Sequence, residues 1–139
     1  MVFPDVGLCY SYIFMSKLFI VGIGGFVGSA LRCLVSDFFG RLFENSWFPC
    51  GTLAVNAIGC LLIGFLSGIA EARQAFTPEI RLLLFVGFLG GFTTFSTFGY
   101  ELFSAVRDGQ ITGAFMNFAL HMILAFSGIL SGLLLARAL

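Results

Sequence analysis

Long apolar runs alternate with short polar joints along the chain. Four runs lie at about 18–39, 51–70, 79–106 and 112–136. About 20 apolar residues, at a rise of about 1.5 Å per residue, cross the hydrocarbon core of a bilayer. Because the joints are short, neighbouring helices must be antiparallel hairpins. The pattern predicts an all-α membrane protein with four transmembrane helices.

Residues 1–15 precede the predicted membrane domain, which covers 16–139. They lack the basic region and the small-residue cleavage site of a signal peptide. Met15 is followed at once by Ser16-Lys17 and the first apolar run. We therefore expect the native chain to begin at Met15, with a short interfacial or disordered extension as the alternative.

The third run contains a sequence that disfavours a continuous helix. It begins near Pro78, a residue type favoured in the first turn, but residues 87–98 are GFLGGFTTFSTF. Glycines and hydroxyl residues weaken a helix, and unwound backbone at membrane depth must be buried in protein or line water. We predict a third helix broken at mid-membrane, with free carbonyls that could hold a cation. Phe95 and Phe98 are three apart, so they should share a face, where ring edges can contact a dehydrated anion.

Two other runs carry polar pairs at a spacing of four residues: Thr52 with Asn56, and Asn117 with His121. Each pair shares one helix face, and polar groups at membrane depth usually face an interior or a wet cavity. For Asn56 the alternatives are a helix–helix hydrogen bond and a pore-lining donor. His121 is the only histidine, so we interpret it as a structural or pore-facing side chain rather than a metal ligand.

Charged residues near the ends of the runs leave further alternatives open. Arg32 could extend to the membrane interface with Asp37 nearby, or it could line a vestibule that concentrates anions. Glu101 could be an interfacial carboxylate, or it could pair inside the helix bundle.

Composition narrows the class of protein. Hydrophobic residues make up 59% and charged residues 10%, with seven Lys and Arg against seven Asp and Glu. A soluble domain has about 25% charged residues, so a soluble enzyme and a nucleic-acid binder are not expected. We find no nucleophile–base pair or metal-ligand cluster, so no enzyme activity is predicted. The cysteines have no CxxC spacing and are interpreted as small apolar side chains: Cys9, Cys33, Cys50 and Cys60.

Small residues and weak charge bias favour association of two chains. Each run holds one pair of glycines four residues apart, which lets helix backbones approach closely in lipid: Gly24 and Gly28, Gly64 and Gly68, Gly87 and Gly91, Gly128 and Gly132. Four basic residues fall on one predicted membrane side and two or three on the other, a bias too weak for the positive-inside rule to give a clear orientation. A chain that inserts both ways could form an antiparallel homodimer.

Three motifs carry a resemblance to a known family: GGFVGSALR at 24–32, GTLAVNAIG at 51–59 and GGFTTFSTF at 90–98, followed by Glu101. In order and spacing the chain resembles the Fluc (CrcB) fluoride channels over about 16–136. The third motif is specific, whereas the first two alone are weak.

The resemblance implies an antiparallel, dual-topology homodimer in the cell inner (plasma) membrane, with two parallel fluoride pores that relieve fluoride toxicity. It implies a structural sodium ion (Na⁺) at the dimer centre, held by backbone carbonyls of Gly90 and Thr93 from each subunit. It implies that Phe95 and Phe98 line the pores, one drawn from each subunit, together with Asn56, Thr52, Arg32, Asn117 and His121. The sequence departs from the family at Leu124 and Ala125, where a small residue and a hydroxyl are common.

Two other functions would fit parts of the sequence. A small multidrug exporter would also be a four-span dimer, but it needs a titratable acid near the middle of a span, and Glu101 lies near a span end. A non-transporting membrane scaffold explains the glycines but not the polar constellation around Asn56 and 93–98. A paired heterodimer also remains open, although the complete motif set favours a self-sufficient subunit.

Overall fold

The structure is a computed structural model that describes residues 5–44, 48–73 and 75–139, and side chains from Phe14 onward. Every element within these residues is helical. The elements are α1 (Asp5–Leu42), α2 (Cys50–Arg73), α3 (Pro78–Arg81), a π-helical segment (Leu82–Leu89), α4 (Gly90–Phe92), α5 (Phe95–Arg107) and α6 (Ile111–Ala138).

Four helical stretches are long and apolar enough to cross a membrane. They are Phe14–Leu42, Cys50–Arg73, Pro78–Arg107 and Ile111–Ala138. The chain is therefore a multi-pass membrane protein with four spans, as the sequence predicts. Of the expected N-terminal extension, residues 1–4 lie outside the described residues, and α1 runs without interruption from Asp5 past Met15.

The third span is assembled from several short pieces. Thr77 caps its start by accepting a hydrogen bond from the Ile80 N–H at 3.4 Å, and Pro78 occupies the first turn. Four helical residues are followed by eight residues of π-helix, Leu82–Leu89, and then by the single turn of α4. Thr93 and Thr94 have extended backbone, with φ and ψ near −118° and 104° and near −110° and 107°, before α5 begins.

Glycines set the close contacts between helices. In α1, an added Cβ at Gly24 would lie 2.5 Å from the Leu83 carbonyl oxygen, and one at Gly28 would overlap the Phe88 carbonyl oxygen. Gly64 and Gly132 meet the opposite backbone in the same way where α2 packs against α6. The prediction that the glycine pairs permit close backbone approach is confirmed at these positions.

Large apolar side chains cover most of the outer surface. Phe19, Phe26 and Phe126 are each more than two-thirds exposed, as expected for side chains that contact lipid. Among the described cysteines, Cys33, Cys50 and Cys60 form no disulfide; the side chain of Cys9 lies outside the described residues.

Candidate functional site

The extended residues of the third span are held by α2. The Thr94 backbone N–H donates a hydrogen bond to Asn56 Oδ1 at 3.1 Å. The Thr94 hydroxyl accepts from the Thr97 N–H at 3.3 Å and caps α5. The amide oxygen of Asn56 is thus occupied by backbone, which is the first of its two predicted roles. Its Nδ2 group carries two N–H donors, which the second predicted role, that of a pore-lining donor, would use.

The interruption also redirects backbone carbonyls. Since Thr94 donates to Asn56, it does not continue the helical ladder to the Gly90 carbonyl. The Gly91 carbonyl accepts from the Ser29 hydroxyl at 3.4 Å, and both the N–H and the hydroxyl of Thr93 donate to Leu89. Gly90 and Thr93 are exposed on the surface of the single chain.

Neutral carbonyl oxygens at an unwound membrane helix are the ligands that Na⁺ takes in such proteins. Gly90 begins the single turn of α4, Thr93 follows that turn with extended backbone, and both residues are exposed. One chain supplies two such oxygens from these residues, so an ion held there would need further ligands. These residues therefore fit the sodium site that the family resemblance implies.

A narrow cavity of about 210 Å³ lies beside the interruption. Its lining includes Asn56, Phe95, Phe98 and His121. The two phenylalanine rings are 5.9 Å apart and inclined at 60°. They line one cavity, yet Phe98 is 4% exposed and Phe95 is 82% exposed. The sequence predicted a shared face and did not reveal this difference.

A buried polar cluster joins α2, α5 and α6. The Thr52 hydroxyl donates to the Glu101 carboxylate. Asn117 lines one pocket together with Glu101, and Glu101 Oε2 and Asn117 Oδ1 have no hydrogen-bond partner among the described residues. One turn along α6, His121 Nδ1 lies 3.1 Å from the Asn117 backbone carbonyl oxygen, and the His121 ring centroid is 4.2 Å from that of Phe98. The cluster thus runs from Glu101 to the phenylalanine cavity.

The sequence predicted the two polar pairs of this cluster but not their link through Glu101. Thr52, Asn117 and His121 are all buried. Glu101 is half-buried and paired inside the bundle, which is the second of the two alternatives for it. Helical spacing places residues on a face, but it does not show which face of α5 meets α2 and α6.

A wider cavity of about 670 Å³ opens on the other side of the Thr94–Asn56 hydrogen bond, and Arg32, Thr52 and Thr94 line it. Arg32 is half-buried and makes no ion pair within the described part of the chain. Asp37 also lines this cavity but pairs with Arg41 at 2.9 Å. Arg32 therefore brings to this cavity a positive charge without a fixed counter-charge among the described residues, and Arg41 and Glu44 also line it.

The two departures from the family pattern lie at the narrow cavity. Leu124 and Ala125 both line it. Both side chains present only carbon to the cavity, so its polar lining from α6 is His121.

Comparisons with known proteins agree on one family. Residues 19–133 match the family model described as CrcB-like protein, Camphor Resistance (CrcB). A relative from Maridesulfovibrio salexigens, named fluoride-specific ion channel FluC, is 43% identical over 123 residues, which are 88% of this chain and 97% of the relative. Relatives of the same name from Chlorobium phaeobacteroides and Rhizobium etli strain CIAT 652 are 52% and 41% identical, covering 69% and 90% of this chain and 73% and 99% of their own lengths.

Proposed function

This chain belongs to the CrcB-like protein family, and on that premise we propose that it is a fluoride-selective passive channel of the inner (plasma) membrane. The match over residues 19–133 carries the proposal, because it includes all three motifs and the relatives are named fluoride-specific ion channels. The family is one of channels and not of enzymes. Hydrogen fluoride enters cells as a neutral acid and ionises there, so a passive channel lets the anion leave down its gradient.

The contacts suggest how an anion is handled. Fluoride is strongly hydrated, so a pore must replace its water with several donors. Arg32 would concentrate anions in the wide cavity. Thr52 lines that cavity too, but its one O–H is donated to Glu101, so the donors that follow would be those of the Asn56 Nδ2 group. Positive edges of the Phe95 and Phe98 rings would follow in the narrow cavity. The described residues that line the narrow cavity include no lysine or arginine, so fluoride is not held by a permanent charge.

We propose that the working unit is an antiparallel homodimer with two pores. The exposed surface around the interruption supports this. Thr93, Ser96 and Thr97 are exposed there beside Phe95. Hydroxyls and unwound backbone cannot face lipid without cost, and a second copy would cover them. A Phe95 ring that points away from its own chain would then serve the pore of the partner.

We propose that one structural sodium ion lies where the two copies meet. Gly90 and Thr93 of each subunit would hold it through their carbonyl oxygens. When bound, the ion would supply a positive charge that stabilises the carbonyls of both interrupted spans against each other. Its role would be structural, and conduction would not require sodium to move.

Fluoride efflux from liposomes tests the proposed function. Purified protein is placed in liposomes loaded with potassium fluoride, with a trace of sodium and a fluoride electrode outside. We expect rapid efflux from the native protein and its loss in Phe95→Ile, which keeps bulk but removes the ring edge. Phe126→Ile is the matched control, since Phe126 is 75% exposed on α6 and should conduct normally. Absence of efflux from folded native dimer would contradict the proposal.

No observation favours the two other functions. An exporter that exchanges protons needs an acid facing its substrate, whereas the Glu101 carboxylate accepts a hydrogen bond from Thr52 within the bundle. A scaffold gives no reason for the cavity beside Asn56.

A further inference from the structure

We propose that His121 is a proton-controlled fluoride donor: fluoride binds beside it together with a proton and is released when the proton leaves. This inference deepens the proposed function and rests on it. It concerns the side chain of His121. An imidazole, unlike a hydroxyl, can change its charge and its number of N–H donors near neutral pH.

The hydrogen bond to Asn117 fixes which ring nitrogen carries hydrogen. His121 Nδ1 lies 3.1 Å from the Asn117 backbone carbonyl oxygen. A carbonyl oxygen only accepts, so Nδ1 must donate. The neutral ring then has a bare lone pair at Nε2, and only the protonated ring has an N–H there. Neutral His121 thus offers fluoride nothing at Nε2, whereas protonated His121 offers a charged donor.

The second nitrogen is left without a partner. His121 is 5% exposed, and Nε2 has no hydrogen-bond partner among the described residues. A buried polar atom in this state is costly and unusual, which points to an occupant. The residue lines the 210 Å³ cavity with Asn56 and Phe98. An anion that reaches the phenylalanine rings would therefore arrive next to this imidazole.

The surroundings can accept a positive ring. Phe98 lies with its centroid 4.2 Å from the His121 centroid, and an aromatic ring face attracts a cation. α6 packs against α2 and α5. On those helices Cys60 lines the same cavity, and Glu101 lines a neighbouring pocket together with Asn117. The remaining titratable groups of these three helices are Cys50, Glu71, Arg73, Tyr100, Arg107 and Arg137.

A donor that can lose its positive charge would allow fluoride both to bind in the cavity and to leave it. A permanent cation in the cavity would hold fluoride too strongly for rapid exit. Protonation of His121 would strengthen fluoride binding, and deprotonation would weaken it. By linkage, fluoride must then favour protonation of His121 by the same factor.

Currents in planar bilayers test this coupling. Neutral hydrogen fluoride carries no current, so only the anion is measured as the pH is varied from acid to mildly alkaline. We expect the half-saturating fluoride concentration of the native protein to be about tenfold lower at the acid end, the size of one charge-assisted hydrogen bond. His121→Gln keeps a neutral donor and should lose this dependence. Cys60→Ser, the matched control in the same cavity, should keep it.

A second measurement needs no variant. Because His121 is the only histidine, histidine-labelled protein gives a single imidazole NMR signal. We expect the pH midpoint of that signal to rise by about one unit when chloride is replaced by fluoride, which is the reciprocal of the tenfold change. A midpoint equal in both anions would overturn the inference.

The possible results distinguish a failure of the role inferred for His121 from a failure of the proposed channel function. Fluoride current that does not vary with pH, or a pH dependence that survives in His121→Gln, would overturn the role of His121 and leave the channel standing. A pH dependence lost in Glu101→Gln but kept in His121→Gln would assign the coupling to the carboxylate instead. Absence of fluoride current at every pH would overturn the proposed function and this inference together.

Discussion

Asn56 uses the two ends of one amide for different purposes. Its oxygen accepts from the Thr94 N–H and holds the extended residues of the third span. Its nitrogen remains as a donor beside the narrow cavity. The two interpretations that the sequence leaves open, a structural amide and a pore-lining donor, are therefore compatible in one side chain.

Asn56→Asp separates these roles. The aspartate keeps an oxygen for Thr94 and replaces the two donors with a negative charge. We expect the variant to fold and elute at the volume of the native protein, and fluoride efflux to fall by about a hundredfold or more because like charges repel strongly near a protein interior. Retention of at least half of the native efflux rate would show that the Nδ2 donors do not contact fluoride.

Thr52 supports Glu101 through one hydrogen bond. Thr52→Val preserves shape and leaves the half-buried carboxylate without that donor. We expect a loss of about 1–3 kcal/mol in the free energy of unfolding, measured by denaturation in detergent. Ser127→Ala is the control, because the Ser127 hydroxyl is exposed and donates only to carbonyls of its own helix. Equal stability of the two variants would contradict the importance of the Thr52–Glu101 bond.

Single residues were partly predictable from the sequence. Polar side chains inside apolar runs are conspicuous, so Thr52, Asn56, Asn117 and His121 were identified by position. Their partners were not, because a hydrogen bond between Thr52 and Glu101 depends on how α2 and α5 are rotated about their axes. The unequal exposure of Phe95 and Phe98 was hidden for the same reason.

At the scale of elements, the third span combines three backbone forms. The π-helix over Leu82–Leu89 lies directly before the interruption. π-Helical turns are rare and are often found at functional sites. Here the segment packs against the glycines of α1, so the backbone of the third span is held on one side by α1 and on the other by Asn56 of α2.

A substitution at Gly28 tests the contact between α1 and the third span. A Cβ on Gly28 would overlap the Phe88 carbonyl oxygen, whereas a Cβ on Gly22 of the same helix meets nothing within 4 Å. We expect Gly28→Ala to lose about 1–3 kcal/mol of stability through overpacking and Gly22→Ala to be neutral or slightly stabilising. Thermal unfolding of both variants in one detergent measures the difference, and similar melting temperatures would contradict the packing described.

Helices and their boundaries were predictable from the sequence where neighbouring residues along the chain determine them. Four apolar runs, Pro78 at the start of the third span and the glycine pairs all follow from residue type and spacing. The π-helix was not predicted, because the residues of Leu82–Leu89 suit an α-helix as well and carry no local signal for the wider turn. The same limit applies to the length of α4, a single turn.

At the scale of the whole molecule, one chain leaves a polar surface uncovered. Exposed Thr93, Ser96 and Thr97 lie among large exposed apolar side chains. The weak charge bias between the two membrane sides suggested dual insertion, and in the proposed homodimer this surface would be covered by the second copy. The proposed sodium ion would lie within it.

Removal of sodium tests the proposed assembly. Protein prepared and reconstituted with N-methyl-D-glucamine as the only cation should lose fluoride efflux, and added sodium should restore it. Potassium, being larger, should restore it poorly if the Gly90 and Thr93 carbonyls define the site. Full efflux after exhaustive sodium removal would contradict a structural sodium ion while leaving fluoride conduction intact.

The most direct test of the central claim is the reversal potential of native protein in a planar bilayer with sodium fluoride on one side and an equal concentration of sodium chloride on the other. A fluoride-selective channel will give a potential displaced far from zero in the direction that opposes fluoride flow. A reversal potential near zero, which indicates equal permeability to the two anions, would contradict the account.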